Sequence, residues 1–182
     1  MPKIKISPFC FLFAFFICYS MPLSSLVPLA TSVFFHESGH LIAALICKSP
    51  IECVHFSPLG VTIRRKSTPS AYLHDIVIYS FGPLLSLILG ITGYYLGIDG
   101  LYNYSFALLL LNILPVKVFD GGKILYSLLC IICTHRADFM LKTVSAVIVT
   151  LLWLISLFLV LVSNASPSLL IMCFYLFFAI FV

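Results

Sequence analysis

From Pro8 to Val182 the chain is a series of long apolar runs, and the most polar stretch, Lys48 to Ser70, divides the early runs from the later ones. Runs of this length constrain the fold more than any other feature, because about 20 apolar residues are what a helix needs to cross the hydrocarbon core of a bilayer. Composition agrees: 62% of residues are hydrophobic and 9% charged, with mean hydropathy +1.19, where an average soluble domain carries about 25% charged residues. That excludes an ordinary soluble globule, a disordered protein and a nucleic-acid binder. The net charge of +4 arises from ten Lys/Arg against six acids. Set beside apolar runs, those cations suit topology determination.

The expected architecture is an all-α membrane protein of about six transmembrane helices, a single domain over residues 1–182. The first span covers about Pro8–Pro28 and follows Lys3 and Lys5; Met21-Pro22-Leu23-Ser24 offers no small-residue cleavage site, so a span is expected rather than a removed leader. The second covers about 29–47. Residues 48–70 are expected to hold a small cytoplasmic β-hairpin, with Ile51–Phe56 and Val61–Arg65 flanking Ser57-Pro58-Leu59-Gly60. The third covers about Ala71–Gly97, with a kink or pause at Gly82-Pro83.

The fourth, about 101–133, is expected to unwind at its middle, where Pro115 to Lys123 interrupts the apolar pattern. Non-helical backbone at membrane depth is tolerated only where protein buries it or water reaches it, so the break marks a cavity. The fifth and sixth spans cover about Ala137–Val162 and Ser168–Val182. With the N-terminus inside, the cytoplasmic segments hold eight cations, Lys3, Lys5, Lys48, Arg64, Arg65, Lys66, Arg136 and Lys142, and the external turns hold none. The bias places both termini in the cytoplasm.

Any chemistry that needs a carboxylate, as general base or as anionic metal ligand, must draw on six: Glu37, Glu52, Asp75, Asp99, Asp120 and Asp138. The seven cysteines are scattered through apolar sequence, Cys130 and Cys133 included, and read as packing residues. One pattern stands out. His36-Glu37-Ser38-Gly39-His40 lies within the second span and is an HExxH. Two histidines four residues apart share a helix face and can point at one metal ion, and Glu37 stands beside them as a general base. Ionisable groups at membrane depth are costly and mark function.

A catalytic zinc site takes three protein ligands and keeps one open position. Glu52 falls beyond the polar end of the span, Asp99 belongs to an external turn, and Asp75 and Asp138 sit at cytoplasmic helix ends. Asp120 remains, in the broken span, with Gly121-Gly122 behind it to allow close backbone approach. The depths agree. His40 lies eight residues from Lys48, about 12 Å along a helix, and Asp120 is comparably far from the helix end near Thr134. The expected metal ligands are therefore His36, His40 and Asp120, inside the bilayer on its cytoplasmic side.

His36-Glu37-x-x-His40, together with Asn112-x-x-Pro115 and Asp120-Gly121-Gly122, resembles the paired signatures of the site-2 protease family of intramembrane zinc metalloproteases. The six-span layout is similar to that of the sporulation branch, which processes a pro-sigma factor. The resemblance implies one Zn2+ per chain and cleavage of membrane-spanning or membrane-associated proteins within the lipid bilayer, with Glu37 catalytic. It also implies a role for Asn112 in holding substrate or the oxyanion, and a regulatory membrane protein as a further partner; no nucleic acid is implied. The Ile51–Arg65 hairpin would offer an edge for an extended substrate segment. Two features depart from the family: Lys117 stands where many relatives have proline, and no PDZ or CBS domain is expected. Two rival readings are a catalytically silent relative that binds membrane partners and a metal transporter.

Overall fold

The structure is a computed structural model that describes residues 3–6, 19, 21–48, 51–57, 60–65, 71–163 and 168–181, with backbone alone for the strands. The expected first span falls mostly outside the described residues. The chain divides into two compact units, Met1–Leu111 and Asn112–Val182.

In the first unit, strand β1 (Lys3–Ile6) precedes helix α1 (Leu23–Ile46), strands β2 (Ile51–Ser57) and β3 (Gly60–Arg65), helix α2 (Ala71–Tyr95) and most of helix α3 (Asp99–Ile113). Helix α1 starts six residues before the expected Leu29 and contains Pro28. Beyond the first turn a proline forgoes one helical hydrogen bond and crowds the carbonyl four residues earlier, yet the helix continues through it. Pro28 is also used: its carbonyl accepts the Ser32 hydroxyl at 2.9 Å, and its ring lies against Gly100.

Helix α2 runs through Gly82-Pro83 without the expected pause. It ends in a Schellman motif, with Gly97 at φ +67° and the Ile98 and Gly97 amides donating to the Gly93 and Tyr94 carbonyls at 2.9 and 3.2 Å. Helices α1 and α2 pack tightly because Gly39 faces α2. A Cβ there would lie 2.5 Å from the Phe81 carbonyl oxygen. Small residues let membrane-type helices approach in this way. On the same two helices Ala43, Ala44 and Ile78 form a buried cluster.

The strands form one sheet in the order β1-β2-β3. Strands β2 and β3 pair antiparallel, Val54 opposite Ile63, with an irregularity between Ile51 and Cys53. β1 pairs parallel to β2, Lys3 opposite Cys53. Among the described residues the Ile51–Arg65 hairpin thus keeps its outer edge at β3, whereas β2 is central because the strand Lys3–Ile6 lies beside it. Sequence periodicity is too short over four residues to reveal such a strand.

In the second unit, residues 114–119 are non-helical and lead into α4 (Asp120–Cys133), a 3-10 turn (Thr134–Arg136), α5 (Ala137–Ser163) and α6 (Ser168–Phe181). Val116 and Phe119, from the interruption, are buried with Val149, Cys173, Leu176 and Ile180. Protein therefore surrounds this irregular backbone, as the membrane-depth argument requires. Among the described residues three helical runs are long and apolar enough to cross a membrane: Leu23–Ile46, Tyr72–Tyr95 and the 43-residue run Asp120–Val162. Helices α3 and α6, at 15 and 14 residues, are shorter than a full span.

Candidate metal centre

Helix α1 carries the HExxH residues near its middle, and the four-residue spacing stacks His36 and His40 on one face. Both are about 95% buried, at 4% and 5% exposure. Their rings meet edge to face, with centroids 4.9 Å apart. Each ring is held at its Nδ1 by α2. The His40 Nδ1–H donates to the Ile78 carbonyl at 2.8 Å, and His36 Nδ1 meets the Ser86 hydroxyl at 2.9 Å. A carbonyl can only accept, so the neutral His40 keeps its lone pair on Nε2.

The two Nε2 atoms then face each other at 3.3 Å. Two nitrogens bound at 2.0–2.1 Å to a tetrahedral zinc stand about 3.3–3.4 Å apart. The pair thus fits a metal ion by donor type, by direction and by spacing. Gly82 completes the pocket wall: a Cβ at this position would collide with the His40 imidazole and touch Cε1 of His36 at 3.0 Å. Ile78, Gly82 and Ser86 recur every four residues along α2 and form one stripe facing the two rings. Glu37, next in the chain to His36, is half-buried.

Asp120 lies in the second unit as the first residue of α4 and is 3% exposed. The N-terminal turn of a helix favours a carboxylate. Gly121 and Gly122 press this turn against the preceding chain, where side chains in their place would strike the carbonyls of Ile113 and Val116. Lys123 donates to Asp120 Oδ1 at 3.1 Å. Lys117 is directed elsewhere. Its amide donates to the Ser145 hydroxyl at 2.9 Å, and its Nζ lies 3.5 Å from the Ile180 carbonyl in the last turn of α6. Asn112, the penultimate residue of α3, is half-buried.

The structure thus brings His36 and His40 together within α1 and buries Asp120 at the head of α4. Sequence reasoning missed Ser86, Gly82 and Lys123. The small-residue repeat on α2 was a visible signal for the first two, and the (i, i+3) spacing from Asp120 was a signal for Lys123.

Comparison with known proteins was made on sequence and on fold. No family model matches the chain. It is 26% identical over 136 residues to stage IV sporulation protein FB of Bacillus subtilis (strain 168), an alignment covering 69% of this chain and 47% of that protein. The chain spans about half the length of this curated relative. Its fold is similar to that of the site-2 protease from Methanocaldococcus jannaschii, with TM-score 0.66 and 25% identity over 97% of this chain and 88% of the other.

Proposed function

We propose that this chain, which is similar in fold to a site-2 protease, is an intramembrane zinc-dependent endopeptidase acting on membrane-embedded or membrane-associated proteins in regulated intramembrane proteolysis. The observation that carries the reading is the buried His36–His40 pair, its Nε2 atoms facing at 3.3 Å with both Nδ1 atoms already engaged. Asp120 is the third ligand in this proposal. His36, His40 and Asp120 are each buried, and each can offer a ligand atom to a metal ion.

His36, His40 and Asp120 would hold the zinc, which would supply Lewis acidity toward the scissile carbonyl and toward water. Glu37 accepts the proton of the attacking water at its carboxylate and returns it to the leaving amine. Asn112 donates its side-chain amide to the substrate backbone or to the oxyanion. A metal transporter would have no use for Glu37 in this role, and a silent relative would have no need of the intact set.

The membrane layout proposed is six spans with both termini cytoplasmic and the site inside the bilayer on the cytoplasmic side. The helical run from Asp120 to Val162 holds 43 residues, about 64 Å if straight, or roughly twice the hydrocarbon thickness. Its backbone breaks at Cys133, with φ −146° and ψ 76°, which supports two spans there. The proposed partners are a membrane-spanning substrate, the lipid bilayer and a regulatory membrane protein.

The test is zinc content per chain in detergent-purified protein, wild type beside Asp120→Ala, followed by cleavage of single-span substrates with Glu37→Gln as control. One zinc in the wild type, much less in Asp120→Ala, and no cleavage by a zinc-loaded Glu37→Gln are the expected results. Absence of zinc from resupplied wild type would overturn the reading.

A further inference from the structure

Asp120 and Lys123 occupy the first turn of α4, one turn apart on the same face. The Lys123 ammonium lies 3.1 Å from Asp120 Oδ1, with the two side chains 24% and 4% exposed. Exposed pairs at this spacing contribute little, but a nearly buried carboxylate depends on its partners. The backbone around Lys123 is held from both sides. Its amide donates to the Phe119 carbonyl at 3.2 Å, and its carbonyl accepts the Ser127 hydroxyl at 3.0 Å. Gly121 and Gly122, between the pair, are pressed against the backbone of Ile113 to Lys117. The turn therefore aims both side chains by rigid backbone.

Resting on the zinc-site reading above, we propose that Lys123 is a positioning residue for the metal site: by holding Asp120 Oδ1 it leaves Oδ2 as the single ligand atom of this carboxylate. A carboxylate free to swing can bind through both oxygens and fill the position that water and substrate require. Groups hydrogen-bonded to metal ligands set their orientation in this way. Charge rather than chain length is the requirement, so arginine would serve at position 123 where an uncharged chain of similar length would not.

The experiment uses the full chain in detergent in a Glu37→Gln background, which keeps the proposed ligands and stops turnover. Zinc affinity is measured by chelator competition, and coordination by the visible spectrum of the cobalt-loaded protein, for the parent, Asp120→Ala, Lys123→Met and Lys123→Arg. Expected are an affinity loss of about 10–100-fold in Lys123→Met, weaker cobalt bands as the coordination number rises above four, and recovery of both in Lys123→Arg. Parental affinity and spectrum in Lys123→Met would overturn the proposal while the zinc site stands. So would a failure of Lys123→Arg to recover, or a metal-free Lys123→Met that no longer melts cooperatively. Zinc absent from the parent, or retained in full by Asp120→Ala, would instead overturn the ligand reading on which the proposal rests.

Discussion

The Ser86 hydroxyl and Nδ1 of His36 meet at 2.9 Å across the α1–α2 packing, although the residues lie 50 positions apart in the chain. Ser86 is fully buried, at 0% exposure, so the hydroxyl has little freedom to turn away. The contact leaves Nε2 as the His36 atom directed at its neighbour His40. Ser86→Ala is expected to lower zinc affinity by about 10–100-fold with the fold intact. Chelator competition on purified protein, with circular dichroism as the control for folding, checks this.

Gly82 is where α2 comes closest to the imidazoles, and an alanine methyl would occupy space that the His40 ring fills. Either the ring rotates out of line or the helices separate. Overpacking of this kind costs about 1–3 kcal/mol, which corresponds to roughly 5–150-fold in affinity. Gly82→Ala is therefore expected to bind zinc weakly and cleave poorly, while Gly90→Ala, farther along α2 and next to the Phe106 ring, should leave zinc affinity unchanged. Zinc titration of the two variants separates a local effect from general loosening of α2.

His36, Glu37, His40 and Asp120 stand out as candidates in the sequence because ionisable residues are so scarce that spacing and elimination single them out. The interruption between α3 and α4 was legible too, since proline, lysine and two glycines cannot continue an apolar helix. What held the imidazoles was harder to read. Ile78 acts through its carbonyl, which no residue type announces, and Gly82 and Ser86 look like ordinary small residues of a membrane span. Pro28 and Pro83 suggested breaks that tertiary packing overrides, which shifted the start of α1 to Leu23. The parallel pairing of Lys3–Ile6 with β2 depends on contacts 50 residues apart, beyond the reach of local pattern.

Lys117 and Lys123 lie six residues apart but are expected to behave differently. The Lys117 ammonium is placed at the Ile180 carbonyl, in the last turn of α6, where a cation favours the helix dipole by about 0.3–1 kcal/mol. Lys117→Met should lower the melting temperature slightly and leave zinc affinity within about twofold of wild type, the scale of a 0.5 kcal/mol effect. Parallel melting and zinc-titration curves for Lys117→Met and Lys123→Met make the comparison. A large zinc defect in Lys117→Met would place its charge at the site instead.

Metal removal should also cost stability, and the reason lies in the histidine pair. With His40 donating through Nδ1, its Nε2 lone pair faces His36 Nε2 at 3.3 Å. Without a cation this arrangement survives only if His36 turns a proton toward His40, which reassigns its contact with Ser86. A ligand that binds the folded state alone stabilises it by about 2.7 kcal/mol at 100 times its dissociation constant. Chelator is therefore expected to lower the melting temperature of Glu37→Gln protein, and zinc to restore it. His36→Ala and Asp120→Ala should melt at the same temperature with or without chelator. Calorimetric or fluorescence melting of the three proteins reads this out directly, and an unchanged melting temperature in chelated Glu37→Gln would mean that the imidazole pair packs without a metal.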